Sequence, residues 1–472
     1  MKIMFTYLNP MGLPYIDLGI ASLSATLKSK GHDTKLLDFT FGMKNAEAVR
    51  QVKEYDPDII CITAKTNEFS LAVQFATLLK KNFDKPIFCG GIHPTVAPED
   101  AVKHPCFDGI CRGEGEVVLL ELVRKIEKKE DYTDTLNFWF RKGGKIIRNE
   151  IGTLVENLDS LPLFDYDIYD MEKYLRSRAG NMDYILSRGC PFTCTYCINN
   201  VLQKIYAGKG KYVRSKSVGK IMQELKELKG RYEVVAFRFH DEMFNIDHKR
   251  LKEFCETYAR EIKTPFECDL RVDFCSEEMF QWLKNAGCFK VSMAIESGDP
   301  ELREKLLNKK ITDDQIIGAF RWAKKAGIHT MSYNMLGFPF ETREQMQKTI
   351  DINREIKADS IQASIFTPFP GTNLREFSIN EGILKKDDFD MSYYTGTYLR
   401  NDKISDKELF KIQKRFAYYC YKDRSLPKAL LLLLRGEIIP VYLKAGRHIP
   451  VWFKYLIYKI FWNSKVFRFM SK

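Results

Sequence analysis

Three cysteines, Cys190, Cys194 and Cys197, stand within eight residues as C-x3-C-x2-C, the densest set of soft ligands in the chain. Thiolates so spaced on a loop can converge on one soft metal centre, zinc or an iron–sulfur cluster. Their number matters. A structural zinc site takes a fourth ligand, typically with C-x2-C pairs, whereas a cubane held at three corners keeps one iron open to an exogenous ligand. Cys268, Cys275 and Cys288 invite a second cluster, but they fall on a strand, after it and after a helix, and read as buried free thiols. His93 and His240 fall on loops that face a ligand. Arg271 and Asp273 follow a strand, where contact with ribose or substrate and a simple ion pair are both open readings.

The elements that must position these residues show two βα alternations. In the first, short apolar runs (Lys2 to Tyr7, Thr34 to Phe39, Ile59 to Ala64, Pro86 to Cys89, Gly109 to Cys111) read as buried strands between helical stretches. Such alternation predicts a doubly wound parallel sheet, with ligands outside the carboxyl ends of the strands. The peptides there run from Leu8 to Ile16, Thr63 to Asn67, Gly90 to Thr95 and Arg112 to Glu116. Residues 136–180 break the period: a hairpin across Lys142-Gly143-Gly144, then a linker through LDSLPLFDYDIYD. The second alternation, over residues 181–385, has six predicted strands, from Tyr184 to Leu186 through Ser360 to Phe366. That number suits a partial barrel better than eight βα units.

With 45% hydrophobic and 29% charged residues, the 472-residue chain has a globular composition, and its twelve cysteines are too few for a disulfide scaffold. A reducing cytosol is the expected compartment, and the opening MKIMFTYLNPMGLPY lacks the apolar run of a secretory signal. The net charge of +12 is uneven. From Ser425 onward there are nine Lys or Arg against Glu437 alone, interleaved with apolar and aromatic residues such as PVWFKYLIYKIFW. A nucleic-acid face would pair its basic residues with a polar surface, so no nucleic-acid partner is expected. Two readings of this segment stay open, a helix lying in a membrane interface and an amphipathic helix packed on its own domain. Trp452, Tyr455, Tyr458, Phe461 and Trp462 beside Lys454 and Lys459 suit the first.

The cysteine motif, with Tyr196 before its last cysteine, resembles the cluster loop of radical SAM enzymes. Further motifs fall at the expected strand ends. Phe239-His240-Asp241-Glu242 is similar to the segment that contacts the methionine amino group, and Ala294-Ile295-Glu296-Ser297-Gly298 resembles "GIESG", whose acid lies near the cofactor. Asn334 to Thr342 and Pro368-Phe369-Pro370-Gly371-Thr372 resemble the later "GLPGET" and "PYPGT" segments. The N-terminal peptides Gly90-Gly91-Ile92-His93-Pro94-Thr95 and Arg112-Gly113-Glu114-Gly115-Glu116 are similar to the cobalamin-binding domain of the class that includes anaerobic magnesium-protoporphyrin cyclase and many C-methylases. The D-x-H-x-x-G signature that gives cobalt a histidine is absent, since Asp17-Leu18-Gly19 has no histidine after it.

The resemblance implies a fold of three parts: a Rossmann-like cobalamin-binding-type domain (1–135), a partial (β/α)6 radical SAM barrel (181–385) after the 136–180 linker, and a C-terminal helical, basic and apolar region (386–472). It implies that Cys190, Cys194 and Cys197 hold a catalytic [4Fe-4S] cluster, whose open iron is chelated by S-adenosylmethionine. By the same resemblance Tyr196 packs near the adenine, Gly337 lets backbone approach it, and His240, Asp241, Glu242 and Glu296 line the cofactor. Gly90, Gly91, His93, Gly113 and Glu114 would meet cobalamin. The implied activity is cobalamin-dependent methylation of an unactivated carbon on a hydrophobic substrate (lipid, isoprenoid or tetrapyrrole). Cyclisation or carbon–carbon bond formation without methyl transfer, and a non-catalytic cluster- or cobalamin-binding role, are the alternatives. An electron donor such as flavodoxin or ferredoxin follows; the expected location is cytoplasmic, with peripheral membrane association on the first of the two readings of the C-terminal segment.

Overall fold

The computed structural model describes residues 1–385, 396–430 and 432–433. Its chain divides into two units, Met1–Ser177 with Val201–Ser215, and Arg178–Asn200 with Lys216–Lys472.

The first unit is built on a seven-stranded sheet. Its strands are β1 (Lys2–Tyr7), β2 (Asp33–Asp38), β3 (Ile59–Thr63), β4 (Ile87–Gly90), β5 (Gly109–Cys111), β6 (Phe138–Lys142) and β7 (Lys145–Arg148), in the order β2-β1-β3-β4-β5-β6-β7. The first five are parallel. Helices cover such a sheet on both faces, so its strands are nearly continuous apolar runs, and Ile59, Ile60, Ile62 and Ile110 are almost wholly buried. The hairpin β6-β7 extends the sheet antiparallel to β5. Gly143 and Gly144 both have positive φ, as a two-residue turn with the right twist requires.

The second unit carries six parallel strands: β8 (Asn181–Tyr184), β9 (Ala236–Phe239), β10 (Phe266–Leu270), β11 (Cys288–Glu296), β12 (His329–Leu336) and β13 (Ser360–Ile365). Their spatial order is their chain order. With right-handed crossovers, sequential order sends every connecting helix to one face and leaves the other concave, which is a partial (β/α)6 barrel. Phe237 and Phe239 of β9 illustrate the covered face. Phe239 packs on Phe254 and Tyr258 of the helix His248–Glu261 and on Phe266. The alternate residues face inward, and the register brings Asp183, Arg238, Glu267, Lys290 and His329 side by side across five strands. Opposite charges alternate along this row, with Lys290 Nζ 2.8 Å from Glu267 and Arg238 Nη2 2.5 Å from Asp269. Ion pairs thus join neighbouring strands across the barrel floor.

C-terminal to the barrel, the helix Asp406–Tyr421 packs Leu409, Ile412 and Phe416 against Leu336, Ile350 and Ile365. The basic aromatic stretch from Val441 to Lys472 lies outside the described residues. Among the described residues no helix is long and apolar enough to cross a membrane.

Candidate functional site

The cysteine loop leaves the carboxyl end of β8 and is tied down along its backbone. Thr195 N–H donates to the Leu307 carbonyl at 3.0 Å, and Thr195 Oγ1 donates to Leu306 O at 2.6 Å. Asn308 Nδ2 donates to Thr193 Oγ1 at 2.9 Å and Asn200 Nδ2 to Thr193 O at 2.9 Å, while Leu374 N–H meets the Thr195 carbonyl at 3.0 Å. Cys194 is buried and Cys190 and Cys197 are half-buried. Burial pushes the Cys190 thiol up to about 11, and the Cys197 and Cys194 thiols beside it add to the rise. Metal binding needs the thiolate, and an iron centre is the kind of charge that would offset this rise. A cubane is ligated corner by corner, so three thiols held on one rigid loop fit it. Arg271 stacks its guanidinium 3.6 Å from the Phe192 ring centroid and reaches to 3.9 Å from Cys194 Sγ, so it braces the loop while pairing with Asp273 at 2.7 Å.

Around the loop the resemblance-based residues fall into two kinds. Tyr196 donates its hydroxyl to Glu296 Oε1 at 3.0 Å, and Lys309 Nζ lies 3.1 Å from the same oxygen. Glu296 stands at a break in the β11–β12 register with φ 69°, a strained conformation for a non-glycine residue. His240 holds Asp183 Oδ1 at 2.6 Å and keeps about a third of its side chain exposed. Asp183 is fully buried. Burial alone would raise its carboxyl, but Arg178 and His240 outweigh that and hold it near 2. Glu242 is exposed to solvent yet crowded by protein, and the lost hydration pushes its carboxyl up to about 7. Tyr196, Glu296, His240 and Glu242 are therefore built into the strand-end region.

Asp241 and Gly337 are differently used. The Asp241 carboxylate is buried and accepts from Leu186 N–H at 3.1 Å and from the Ser187 hydroxyl, fixing the end of β8. Gly337 has φ 78°, and a Cβ there would lie 2.8 Å from Leu409 Cδ2, so the packed helix Asp406–Tyr421 accounts for the glycine. In the structure Asp241 holds the backbone after β8 and Gly337 makes room for the packed helix. Cys268 and Cys288 interact as buried neighbours, and Cys275 Sγ sits 3.4 Å from the Arg271 carbonyl.

In the first unit, His93, Gly113 and Glu114 each have close neighbours inside the fold. His93 is buried, stacks on Phe69 at 3.9 Å, and places its ring nitrogens 3.0 Å from Asp100 Oδ2 and 3.4 Å from Thr66 Oγ1. Glu114 is clasped by both terminal nitrogens of Arg214, at 2.6 and 3.0 Å. Gly113 has φ 81°, and a Cβ would collide with the Tyr206 hydroxyl that accepts from Glu114 N–H at 2.8 Å. The side chains of His93 and Glu114 are thus held by neighbours within the unit. Gly90 and Gly91 remain at the carboxyl edge, Gly91 with φ 97° and its Cβ position 2.9 Å from the Ala64 carbonyl. Glu68, five residues beyond β3, is also buried and leaves Oε2 without a hydrogen-bond partner.

Comparison with known proteins agrees with this layout. Residues 184–352 match the model of the radical SAM superfamily, and residues 6–123 match the B12 binding domain. The chain is 32% identical over 372 residues to "Uncharacterized methyltransferase PH0819" of Pyrococcus horikoshii, covering 78% of this chain and 79% of that protein. It is 27% identical over 453 residues to the anaerobic magnesium-protoporphyrin IX monomethyl ester cyclase of Rubrivivax gelatinosus, covering 90% and 78%. The solved structure of the cobalamin-dependent S-adenosylmethionine radical enzyme OxsB, with aqua-cobalamin and S-adenosylmethionine bound, superposes with a TM-score of 0.70 at 18% identity, over 99% of this chain and 74% of that one. These define a two-part enzyme, a B12-binding sheet followed by a radical SAM barrel. The chain belongs to the cobalamin-dependent radical SAM methyltransferase family. Its cofactors are a [4Fe-4S] cluster, S-adenosylmethionine and cobalamin.

Proposed function

We propose that this enzyme methylates an unactivated carbon of a hydrophobic substrate, with Cys190, Cys194 and Cys197 as the three cluster ligands. The carrying observation is the clamped three-thiol loop beside Tyr196, Glu296 and Lys309. When bound, the cluster and S-adenosylmethionine supply a 5′-deoxyadenosyl radical and cobalamin supplies the methyl group. The chain's own residues do the rest. Segments 306–309 and 373–374 fix the loop; Tyr196 and Glu296 present a polar edge to the nucleoside; His240 and Glu242 offer acceptors to the methionine ammonium; and the barrel wall keeps water from a reactive species. The backbone at Gly90 and Gly91 lies where cobalamin would be approached.

The tetrapyrrole ester named for the Rubrivivax relative supports a hydrophobic substrate, and the cyclisation in that name supports a second reading, ring closure without methyl transfer. Anaerobically reconstituted protein given candidate substrates should release S-adenosylhomocysteine together with 5′-deoxyadenosine. Substrate-dependent 5′-deoxyadenosine alone would favour cyclisation, and no cleavage of S-adenosylmethionine under reducing conditions would leave only a binding role. Replacing any of the three cysteines by Ala should abolish the brown absorption at about 400 nm; an intact spectrum in the triple variant would refute the ligand assignment. A small electron donor of the flavodoxin or ferredoxin kind supplies the reducing electron in this reading. A cytoplasmic location with peripheral membrane attachment is supported by the basic, aromatic sequence from Val441 to Lys472, whose deletion should weaken binding to anionic vesicles.

A further inference from the structure

All six barrel strands are parallel, so the residues that start them lie together at one end of the barrel, opposite the end that carries the cysteine loop. In this unit six large apolar side chains are exposed among the described residues, and four of them stand at the strand-start end: Val235, Phe289, Leu426 and Leu430. Val235 directly precedes β9, and Phe289 is the second residue of β11, where the register with β10 slips between Cys288 and Lys290. The two leucines follow the helix Asp406–Tyr421 on a stretch pinned to the peptide that leads into β13. Tyr421 donates its hydroxyl to Ala358 O, Arg424 Nη1 donates to Lys357 O and Lys428 Nζ donates to Asp359 O, each at 2.7 Å. Residues 426–430 are helical. Lys428 and Ala429 are buried, while Leu426 and Leu430, four apart on the other side, are 53% and 47% exposed.

Exposed cations at the same end, among them Lys263, Lys284, Lys324, Lys357 and Arg424, outnumber the exposed acids Glu233, Glu355 and Asp423. Helix C-termini gather there and favour cations by themselves, so charge alone marks no site. Apolar side chains left in water among those cations do mark one: a lipid interface takes up the apolar groups, and anionic headgroups attract the charge. The described chain closes at Leu433, three residues past Leu430, and the sequence runs on into the lysines and aromatic residues of Val441 to Lys472. A nucleic acid would not call for the leucines, and a second copy of the chain would set this positive end against itself. Resting on the membrane-attachment reading above, we propose that the strand-start end of the barrel is itself a membrane-docking surface, on which Leu426 and Leu430 enter the headgroup region of an anionic bilayer. The cysteine loop, at the other end of the strands, stays clear of the lipid contact.

The test uses full-length protein and co-sedimentation with vesicles of phosphatidylcholine plus phosphatidylglycerol, and of phosphatidylcholine alone. Wild type is compared with the double variants Leu426→Gln, Leu430→Gln and Val235→Ser, Phe289→Ser. Thermal melting and sedimentation velocity without lipid report folding and self-association. Wild type should bind the anionic vesicles more tightly than the neutral ones. The leucine pair should bind them at least about tenfold more weakly, as the loss of two inserted leucine side chains implies, and melt like wild type because both positions are exposed. The second pair lies elsewhere on the same end and should weaken binding about threefold or more, so it tests the surface even if the leucine pair folds poorly. Wild-type binding in both pairs would overturn the proposal. A leucine pair that melts lower yet binds vesicles like wild type would make the chain's own tail the occupant, and loss of a dimer with vesicle binding retained would make it a second copy. Failure of the wild type to bind either vesicle would instead refute the attachment reading on which the proposal rests.

Discussion

Lys309 Nζ and the Tyr196 hydroxyl meet on one oxygen of Glu296, at 3.1 and 3.0 Å. Lys309 and Glu296 are 4% and 8% exposed, so each is the other's main compensation for lost hydration. Breaking a buried pair by removing one partner costs about 3–5 kcal/mol, because the remaining charge is stranded. Lys309→Met should destabilise the protein by about this amount in chemical denaturation, and adding Glu296→Gln should recover a large part of it. If Lys309→Met unfolds at the wild-type midpoint, water rather than Lys309 compensates Glu296.

Much of this arrangement was legible in the sequence, because strand runs and glycine-bearing motifs are local signals. The C-x3-C-x2-C loop, the segments ending at Glu242 and Gly298 and the six barrel strands come from composition, period and resemblance within short windows. Lys309, Asn308 and Arg178 were not legible, since their roles exist only once distant segments close on the loop or on β8. His93 and Glu114 show the converse. Both sit on loops at the ligand edge of the sheet, but Asp100 and the far-off Arg214 satisfy them internally, and no local pattern announces such partners.

Glu341 carries a pH signature. Its carboxyl is wholly buried, accepts from Gly337 N–H at 2.6 Å and Phe338 N–H at 3.2 Å, and is pushed by burial from 4.5 up to about 8. Between these values the folded protein holds a proton that the unfolded chain has released. Its contribution is therefore fully present below pH 4.5 and is lost as pH rises toward 8, by about 1.4 kcal/mol per pH unit. Glu341→Gln cannot release a proton, so the stability of the wild type relative to this variant should fall across that window. A difference that is flat with pH would mean that Glu341 is ionised in the fold.

Gly298 is set by a close approach. Its N–H donates to Thr349 Oγ1 at 2.8 Å, and a Cβ there would overlap the Lys348 carbonyl and lie 2.5 Å from Thr349 N. These are backbone atoms of the helix Arg343–Ile356, which cannot swing aside as a side chain can. Gly298→Ala should cost at least about 1–3 kcal/mol, the usual price of overpacking, measured against a Thr349→Val variant that removes the hydrogen bond but adds no clash. Equal stability of Gly298→Ala and wild type would show that the helix shifts freely.

Asp183 joins Arg178 to His240 at the start of the barrel, with its carboxyl held near 2 against an ordinary 3.8. A depressed carboxylate contributes stability above its unfolded value and loses it as pH falls through the folded one. The wild type should thus lose about 2 kcal/mol between pH 4 and pH 2 that Asp183→Asn does not lose. At neutral pH the same variant leaves the Arg178 charge buried and unpaired and should be less stable by about 3–5 kcal/mol, with Arg178→Met added in the same chain restoring part of the loss. Chemical denaturation of the three chains at pH 2, 4 and 7 reads these differences, and equal losses on acidification in wild type and Asp183→Asn would show that Asp183 is not held ionised in the fold.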